Sequence, residues 1–408
     1  MGAKQIYFFA LKQSQQQIKI YNGRVVLGDQ ILTGGCIVTA GNTIAGVSEK
    51  DIEARDAIMI DAGGKYVSPG FIDMHVHGGG GHDFMDATPE AFLEIARTHA
   101  RFGTTSMFPT TLTSSRQELI DVLNAFELAN SENHDGAQLV GMHMEGPYLA
   151  KAQAGAQDPR YIRNPDPEEY EDILDRYSTI KRWSSAPELP GAVRLGEYLH
   201  AKKILPAIAH TDAIYEEVVG AFQKGYTHLT HFYSAMSGVT RRNGIRYAGV
   251  IESGYLIDEM TVEIIADGIH LPAPFLQLVY KLKGPRRTAL ITDAMRGAGM
   301  PPGEFILGSI HQGVKVIVED GVAKLPDRSA FAGSVATADR LVRNMISMAN
   351  VPVPEAIRMI TETPARIMNI YDRKGSIEVG KDADIVIFDD DIAIHMTMVN
   401  GKIVFKTA

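Results

Sequence analysis

Two histidines placed two residues apart, His75 and His77, lie in the stretch Ser68 to Gly81. The apolar run there, bounded by Pro69 and four consecutive glycines, reads as a short buried strand. Residues two apart on a strand project from one face. Both imidazoles then aim at one spot, at the mouth of a glycine loop, which suits a divalent cation. A packed, hydrogen-bonded histidine pair is the competing reading. Further polar residues stand at the ends of other apolar runs: His143 and Glu145, then His210, His231, His270 and Asp293. Neutral imidazoles with a carboxylate can hold a metal, and a further carboxylate can move protons, so the set contains what a metallohydrolase requires. His228 and His231 are three apart and face opposite ways on a strand, so only one of them can join the set. The strand-end position favours His231 and leaves His228 as a packed residue. Asp73 shares the face of His75 and His77, where it either orients a ligand imidazole or serves the fold.

These residues meet only if the chain brings them together. Short apolar runs ending in polar residues recur at Phe71 to His77, Thr105 to Thr111, Leu139 to Glu145, Ile180 to Glu188, Leu205 to His210, His228 to His231, Val262 to Asp267 and Ala289 to Asp293. Helical patterns alternate with them. Phe92, Ile95, Ala96, His99 and Phe102 make one stripe, with Thr88 as cap and Pro89 in the first turn. Ser115 and Glu118 form a capping box that opens a second helix running to about Asn130. This alternation predicts an α/β fold, a (β/α)8 TIM-like barrel with its chemistry at the C-terminal strand ends. An open doubly wound sheet is the competitor, but the glycines at 78–81 lack the spacing of a dinucleotide fingerprint.

The two ends have a different texture. Ile18 to Val67 and Ala383 to Phe405 read as short strands separated by Asn, Asp and Gly, including a turn at Asn22-Gly23. They predict one small β domain formed by both termini, from residues 1–68 and 373–408, around a barrel over 69–372. Residues 1–16 have no clear pattern. The apolar run Ile6 to Leu11 is too short for a signal-peptide core, and no stretch reaches membrane-spanning length.

The 408 residues include 45% hydrophobic and 22% charged side chains, ordinary for a globular protein with a large core. A net charge of −9 gives no basic footprint for nucleic acid or an anionic membrane. An anionic substrate would therefore need a local cluster of Arg and His. Cys36 is the only cysteine, which excludes an intrachain disulfide framework and fits the cytoplasm.

Pro69-Gly70-Phe71-Ile72-Asp73 followed by His75-Val76-His77 resembles the first-strand signature of the amidohydrolase superfamily. His143-Met144-Glu145-Gly146-Pro147-Tyr148, Ala209-His210-Thr211, His231-Phe232-Tyr233-Ser234-Ala235-Met236, Ala266-Asp267-Gly268-Ile269-His270 and Thr292-Asp293-Ala294 narrow the resemblance to the N-acetylglucosamine-6-phosphate deacetylases, from about Ile18 to the C-terminus. The resemblance implies a distorted barrel with a β-sandwich, and a principal metal, zinc or ferrous iron, on Glu145, His210 and His231. Some members lack the first-strand histidines and use one ion. Here His75 and His77 imply a second, bridged through Glu145. Asp293 would carry the proton from water to the departing nitrogen, with Gln157 as oxyanion donor where some members have His. The products would be acetate and glucosamine 6-phosphate.

For the phosphate, the resemblance assigns His270 and Arg242, with Arg241 adjacent. In the family this arginine reaches the neighbouring subunit's site, which implies a homodimer; without the resemblance the arginine pair reads as a solvated surface pair. Ser234, beside Ala235 in the substrate-lining segment, stands where the family commonly has Asn, so N-acetylgalactosamine 6-phosphate is the nearest competing substrate. Phe331 to Ser334 resembles a further lining segment; a simple turn into the next helix is the alternative. Two rival functions remain. One is a cyclic-amide hydrolase, which would need a bridging lysine where this chain offers only Lys181, at the wrong end of its strand. The other is a non-catalytic barrel serving as a scaffold.

Overall fold

A computed structural model of the chain describes residues 16–407. The expectations for Ile6 to Leu11 and for the lead-in up to residue 15 fall outside them. Eight parallel strands run in order: Phe71–Val76, Thr104–Pro109, the interrupted third strand Gln138–Leu139 and Met142–Glu145, Ile180–Ser185, Leu205–Ile208, His228–Leu229, Thr261–Ile264 and Thr288–Leu290. Each pairs with the next, and Thr110 bridges to His143 across the second and third. The ring closes where Asp293 N–H donates to the His75 carbonyl at 2.9 Å and His77 N–H to the Ala294 carbonyl at 2.8 Å. The result is the expected barrel, distorted at its two-residue sixth strand, His228–Leu229.

The first strand shows how sequence sets its facing. Ile72 and Met74 join a cluster with Ala365 and Met368 of the final helical turns, outside the barrel. Asp73 and His75 alternate with them and face inward. The first connecting helix, Pro89–Ala100, starts as read: Thr88 Oγ1 accepts from Ala91 N–H at 3.2 Å, and Phe92, Ile95, Ala96 and His99 are buried. Phe102 lies beyond its end and is half-buried. The second, Arg116–Glu132, has the Ser115–Glu118 capping box.

Strands from both ends, five before the barrel and three after, form one eight-stranded sheet. The ends join where Ile385–Phe388 runs antiparallel to Tyr66–Pro69. Lys374 Nζ secures the junction through Asp384 at 2.6 Å and Asp382 at 3.0 Å, all three buried.

One expectation needs correction, and one element was not foreseen. Asn22-Gly23 is not a turn: the strand Gln17–Leu27 runs through it, with a register shift on each side of Gly23. A Cβ at Gly23 would lie 2.5 Å from Val67 Cγ2, so this is a bulge that lets another strand approach. The Asn400-Gly401 pair, with φ of 47° and 73°, does make the hairpin expected of such a dipeptide. Also absent from the sequence reading is a three-stranded antiparallel sheet, Gly303–Leu307, Val314–Glu319 and Val322–Lys324, inserted after the eighth strand. It has its own small core of Leu307, Val316, Val318 and Ala323 with Met295 and Ala332.

Candidate functional site

The strand ends converge on a cavity of about 480 Å³. His77, Glu145, Gln157, His210, His231 and Asp293 line it, as do Ser234, Ala235 and His270. Two groups of donors converge there: His75, His77 and Glu145, and Glu145, His210 and His231, all buried and with ligand atoms within 4.8 Å of one another. His210 Nε2 lies 3.2 Å from His231 Nε2, and these nitrogens lie 3.4 and 3.1 Å from Glu145 Oε1. His75 Nε2 and His77 Nε2 are 3.2 Å apart. Asp293 Oδ1 stands 3.3 Å from His75 Nε2 and 3.1 Å from His77 Nε2.

The outer nitrogens decide what these inner ones can offer. His210 Nδ1–H donates to the Gln153 carbonyl at 2.7 Å, His77 Nδ1–H to the Thr110 carbonyl at 3.2 Å, and His75 Nδ1–H to Glu263 Oε1 at 2.7 Å. In the neutral ring this leaves an Nε2 lone pair on each, directed at the cluster. His231 Nδ1 is buried without a hydrogen-bond partner, so no such bond sets that ring's tautomer. Lone pairs 3.2 Å apart, facing carboxylate oxygens, repel unless a cation sits among them. The donor set, imidazole nitrogen with carboxylate oxygen, fits zinc or ferrous iron.

Burial opposes ionisation of Glu145, yet positive charge on His75 and Nε2–H bonds from His210 and His231, when these rings are protonated, hold its carboxyl well below the usual range, a role a cation takes over where the rings are neutral. Burial likewise opposes Asp293, and His75 and His77 hold it low. Gln157 joins both sides of the pocket: its Nε2–H donates to Glu145 Oε2 at 2.7 Å, while its Oε1 accepts from Thr113 N–H at 2.7 Å. His270 sits across the cavity, its Nδ1 2.8 Å from Asp267 Oδ2 and its ring 4.6 Å from that of Phe331. Phe331 and Gly333 line the cavity beside Leu307 of the inserted sheet.

Other readings are resolved by position. His228 is indeed packed, with Nε2 3.1 Å from Glu263 Oε2. His143 lies outside both donor groups: its nitrogens face Ser184 Oγ at 2.7 Å and Thr110 Oγ1 at 3.2 Å, and burial, then Arg182, pushes its pKa well down. Asp73 orients no ligand ring. It accepts from Thr292 Oγ1–H at 2.5 Å and Thr292 N–H at 3.2 Å, which ties the eighth strand to the first. Lys181 points to solvent, with Nζ on the Ser178 carbonyl at 2.8 Å, so it bridges nothing in the barrel. Arg241 is exposed; the Arg242 side chain lies outside the described residues, although its backbone belongs to the hairpin Thr240–Arg242 and Ile245–Tyr247. The sequence reading missed Gln153, Arg182 and Glu263. A Glu inside the otherwise apolar run Val262 to Ile265 is the signal that could have found Glu263; Arg182, between Lys181 and Trp183 in a mixed strand, carries none.

The amidohydrolase family pattern matches residues 66–404. This chain belongs to the amidohydrolase family. Within it, this amidohydrolase is 34% identical over 392 residues to the N-acetylglucosamine-6-phosphate deacetylase of Vibrio furnissii, covering 96% of this chain and 94% of that protein. It is 30% identical to the N-acetylgalactosamine-6-phosphate deacetylase of Escherichia coli O157:H7, over 86% of this chain and 91% of the other. The crystal structure of N-acetylglucosamine-6-phosphate deacetylase from Pasteurella multocida superposes with a TM-score of 0.88 at 28% identity, covering 95% of this chain and 99% of that one.

Proposed function

We propose that this amidohydrolase cleaves the acetamide of N-acetyl-D-glucosamine 6-phosphate, releasing D-glucosamine 6-phosphate and acetate. The observation that carries the reading is the convergence of imidazole lone pairs with Glu145 and Asp293 at one side of a cavity that has His270 at another. Similarity to deacetylases of that name over nearly the whole chain supports the substrate class. Glu145, His210 and His231 would hold one divalent ion, and His75, His77 and Glu145 a second. When bound, such ions polarise a carbonyl and make a neighbouring water more acidic.

An amide has a poorly electrophilic carbonyl and a poor leaving group, so the protein must assist both ends. Asp293 takes the proton of the attacking water and later gives it to the departing nitrogen. Its Oδ1, 3.3 Å from His75 Nε2 and 3.1 Å from His77 Nε2, stands beside the place where the attacking water would be held. Gln157 has a second N–H besides the one engaged by Glu145, and this donates to the oxygen as it gains charge. His270, with Nδ1 held by Asp267, would bind the phosphate as an imidazolium, donating Nε2–H to a phosphate oxygen. Ser234 and Ala235 line the sugar side. Arg242 completes the phosphate site of a partner subunit in a homodimer. We take residues 69–372 as the catalytic barrel, the two ends as a β-sandwich packed on it, and the cytoplasm as the setting.

A galactosamine-specific reading draws support from Ser234 and from the Escherichia coli relative. The deciding measurement is kcat/KM on N-acetylglucosamine 6-phosphate, its galactosamine epimer and the unphosphorylated sugar. The glucosamine phosphate should rank first. A higher value for the epimer would reverse the assignment, and no acetate release with added zinc, iron or manganese would end it.

A further inference from the structure

Beneath the cavity, the seventh strand places Glu263 in the barrel interior, fully buried. Arg182 of the fourth strand, also fully buried, pairs with it through two guanidinium nitrogens, NH1 to Oε2 at 2.5 Å and NH2 to Oε1 at 2.9 Å. Glu263 Oε1 also accepts from His75 Nδ1–H at 2.7 Å and from the His231 backbone N–H at 3.1 Å. One oxygen therefore touches a member of each donor group. His231 has φ of 29°, a left-handed conformation that a non-glycine residue adopts only when its surroundings enforce it. Glu263 Oε2 faces His228 Nε2 at 3.1 Å, which explains why that histidine packs inward without joining a donor group.

We propose that Glu263, held by Arg182, is a positioning residue that sets which nitrogen His75 presents to the second ion and holds His231 in place for the first. The inference rests on the two-ion reading given above. A ring free to turn or to change tautomer would present Nδ1 or an N–H to the cluster about as often as the Nε2 lone pair. With Glu263 accepting at Nδ1, only the Nε2 lone pair faces Glu145 and Asp293. Arg182 contributes by fixing, through its two-point contact, the direction in which the carboxylate faces. It sits inside the barrel where Lys181, its neighbour, does not.

Removing either partner alone strands a buried charge, so the test uses paired variants. Arg182→Met with Glu263→Gln keeps an oxygen for His75 and an amide N–H for His228. Arg182→Met with Glu263→Leu keeps neither. Both pairs and the wild type are stripped of metal, checked for folding by thermal melting, dialysed against zinc and analysed for bound zinc. Histidine ring nitrogen NMR of the metal-free proteins reads the His75 tautomer. The wild type and the Gln pair should bind two equivalents and show His75 protonated at Nδ1. The Leu pair should lose that tautomer signature and the second equivalent, with the first weakened at least tenfold. A folded Leu pair that still binds two equivalents, or a Gln pair that loses zinc as the Leu pair does, would overturn the positioning role. Wild-type protein that binds a single equivalent would instead overturn the two-ion reading, and this inference with it.

Discussion

Asp293 follows the eighth strand with φ of 47°, and His210 and His231 follow theirs with φ of 45° and 29°. Strained, left-handed backbone at three chemically equipped side chains is costly, of order 1–3 kcal/mol each, and marks residues whose direction matters. Alternation along a strand does not govern residues already past its end. The sequence therefore identified His231 over His228 from position rather than from facing, and the facing rule itself worked only for His75 and His77, which lie on or just past a longer strand. If Asp293 shuttles the proton, Asp293→Asn should fold, keep its substrate affinity and lose about 10²- to 10⁴-fold in kcat. Steady-state kinetics with metal analysis checks this; wild-type turnover would exclude Asp293 as the carrier. Gln157→Leu removes the bond to Glu145 Oε2 and, on the proposed mechanism, the oxyanion donor with it. It should lower kcat by about 10²-fold while also loosening zinc in a chelator competition. A fall in kcat with unchanged zinc affinity would assign Gln157 to the oxyanion alone.

At the scale of elements, the barrel strands were legible because each apolar run ends in a polar residue, and five of those residues, His77, Glu145, His210, His231 and Asp293, line the cavity. The inserted sheet was not: the runs in Gly303–Leu307 and Val314–Glu319 are half-buried and short, and their small core forms only after Met295 and Ala332 are brought alongside. The bulge at Gly23 depends on the approach of Val67, a contact that no local pattern encodes. The glycine loop after the first strand was legible in composition but not in purpose. A Cβ on Gly78 would stand 2.4 Å from the His82 carbonyl oxygen and 2.9 Å from Arg296 N, so the loop is glycine-rich to fold tightly against the segment after the eighth strand. The helix Ala273–Lys283 carries a test of its own. Burial, and then Arg287, push the Lys283 ammonium from 10.5 down to about 8. Its Nζ donates to the Ile257 carbonyl at 3.1 Å. Between pH 8 and 10.5 the unfolded chain holds a proton that the folded chain has released, so this residue makes stability rise with pH across that window. Lys283→Met should flatten that rise. Denaturant melts of both proteins at pH 7.5, 8.5 and 9.5 should show the wild type gaining on the variant with pH, and parallel curves would refute the depressed value.

At the scale of the molecule, the hairpin Thr240–Arg242 with Ile245–Tyr247 extends from the loop that supplies Ser234 and Ala235. Val239 and Ile245 there are 60% and 61% exposed, which is unusual for side chains of this size so close together. In the proposed homodimer a second copy of the chain would cover them and receive Arg242 at its phosphate site, which would account for the apolar exposure. The arrangement predicts complementation between inactive proteins. In Arg242→Ala, each site lacks its partner's arginine; in Asp293→Asn, each lacks its own proton carrier. A mixed dimer contains one site with both lesions and one with neither. Random assortment of equal amounts, after unfolding and refolding together, should restore about a quarter of wild-type sites. Mixing the folded dimers without exchange should restore none. Sharing of an arginine within one chain predicts instead that no mixture exceeds the sum of its parts, and activity after co-refolding distinguishes the two directly.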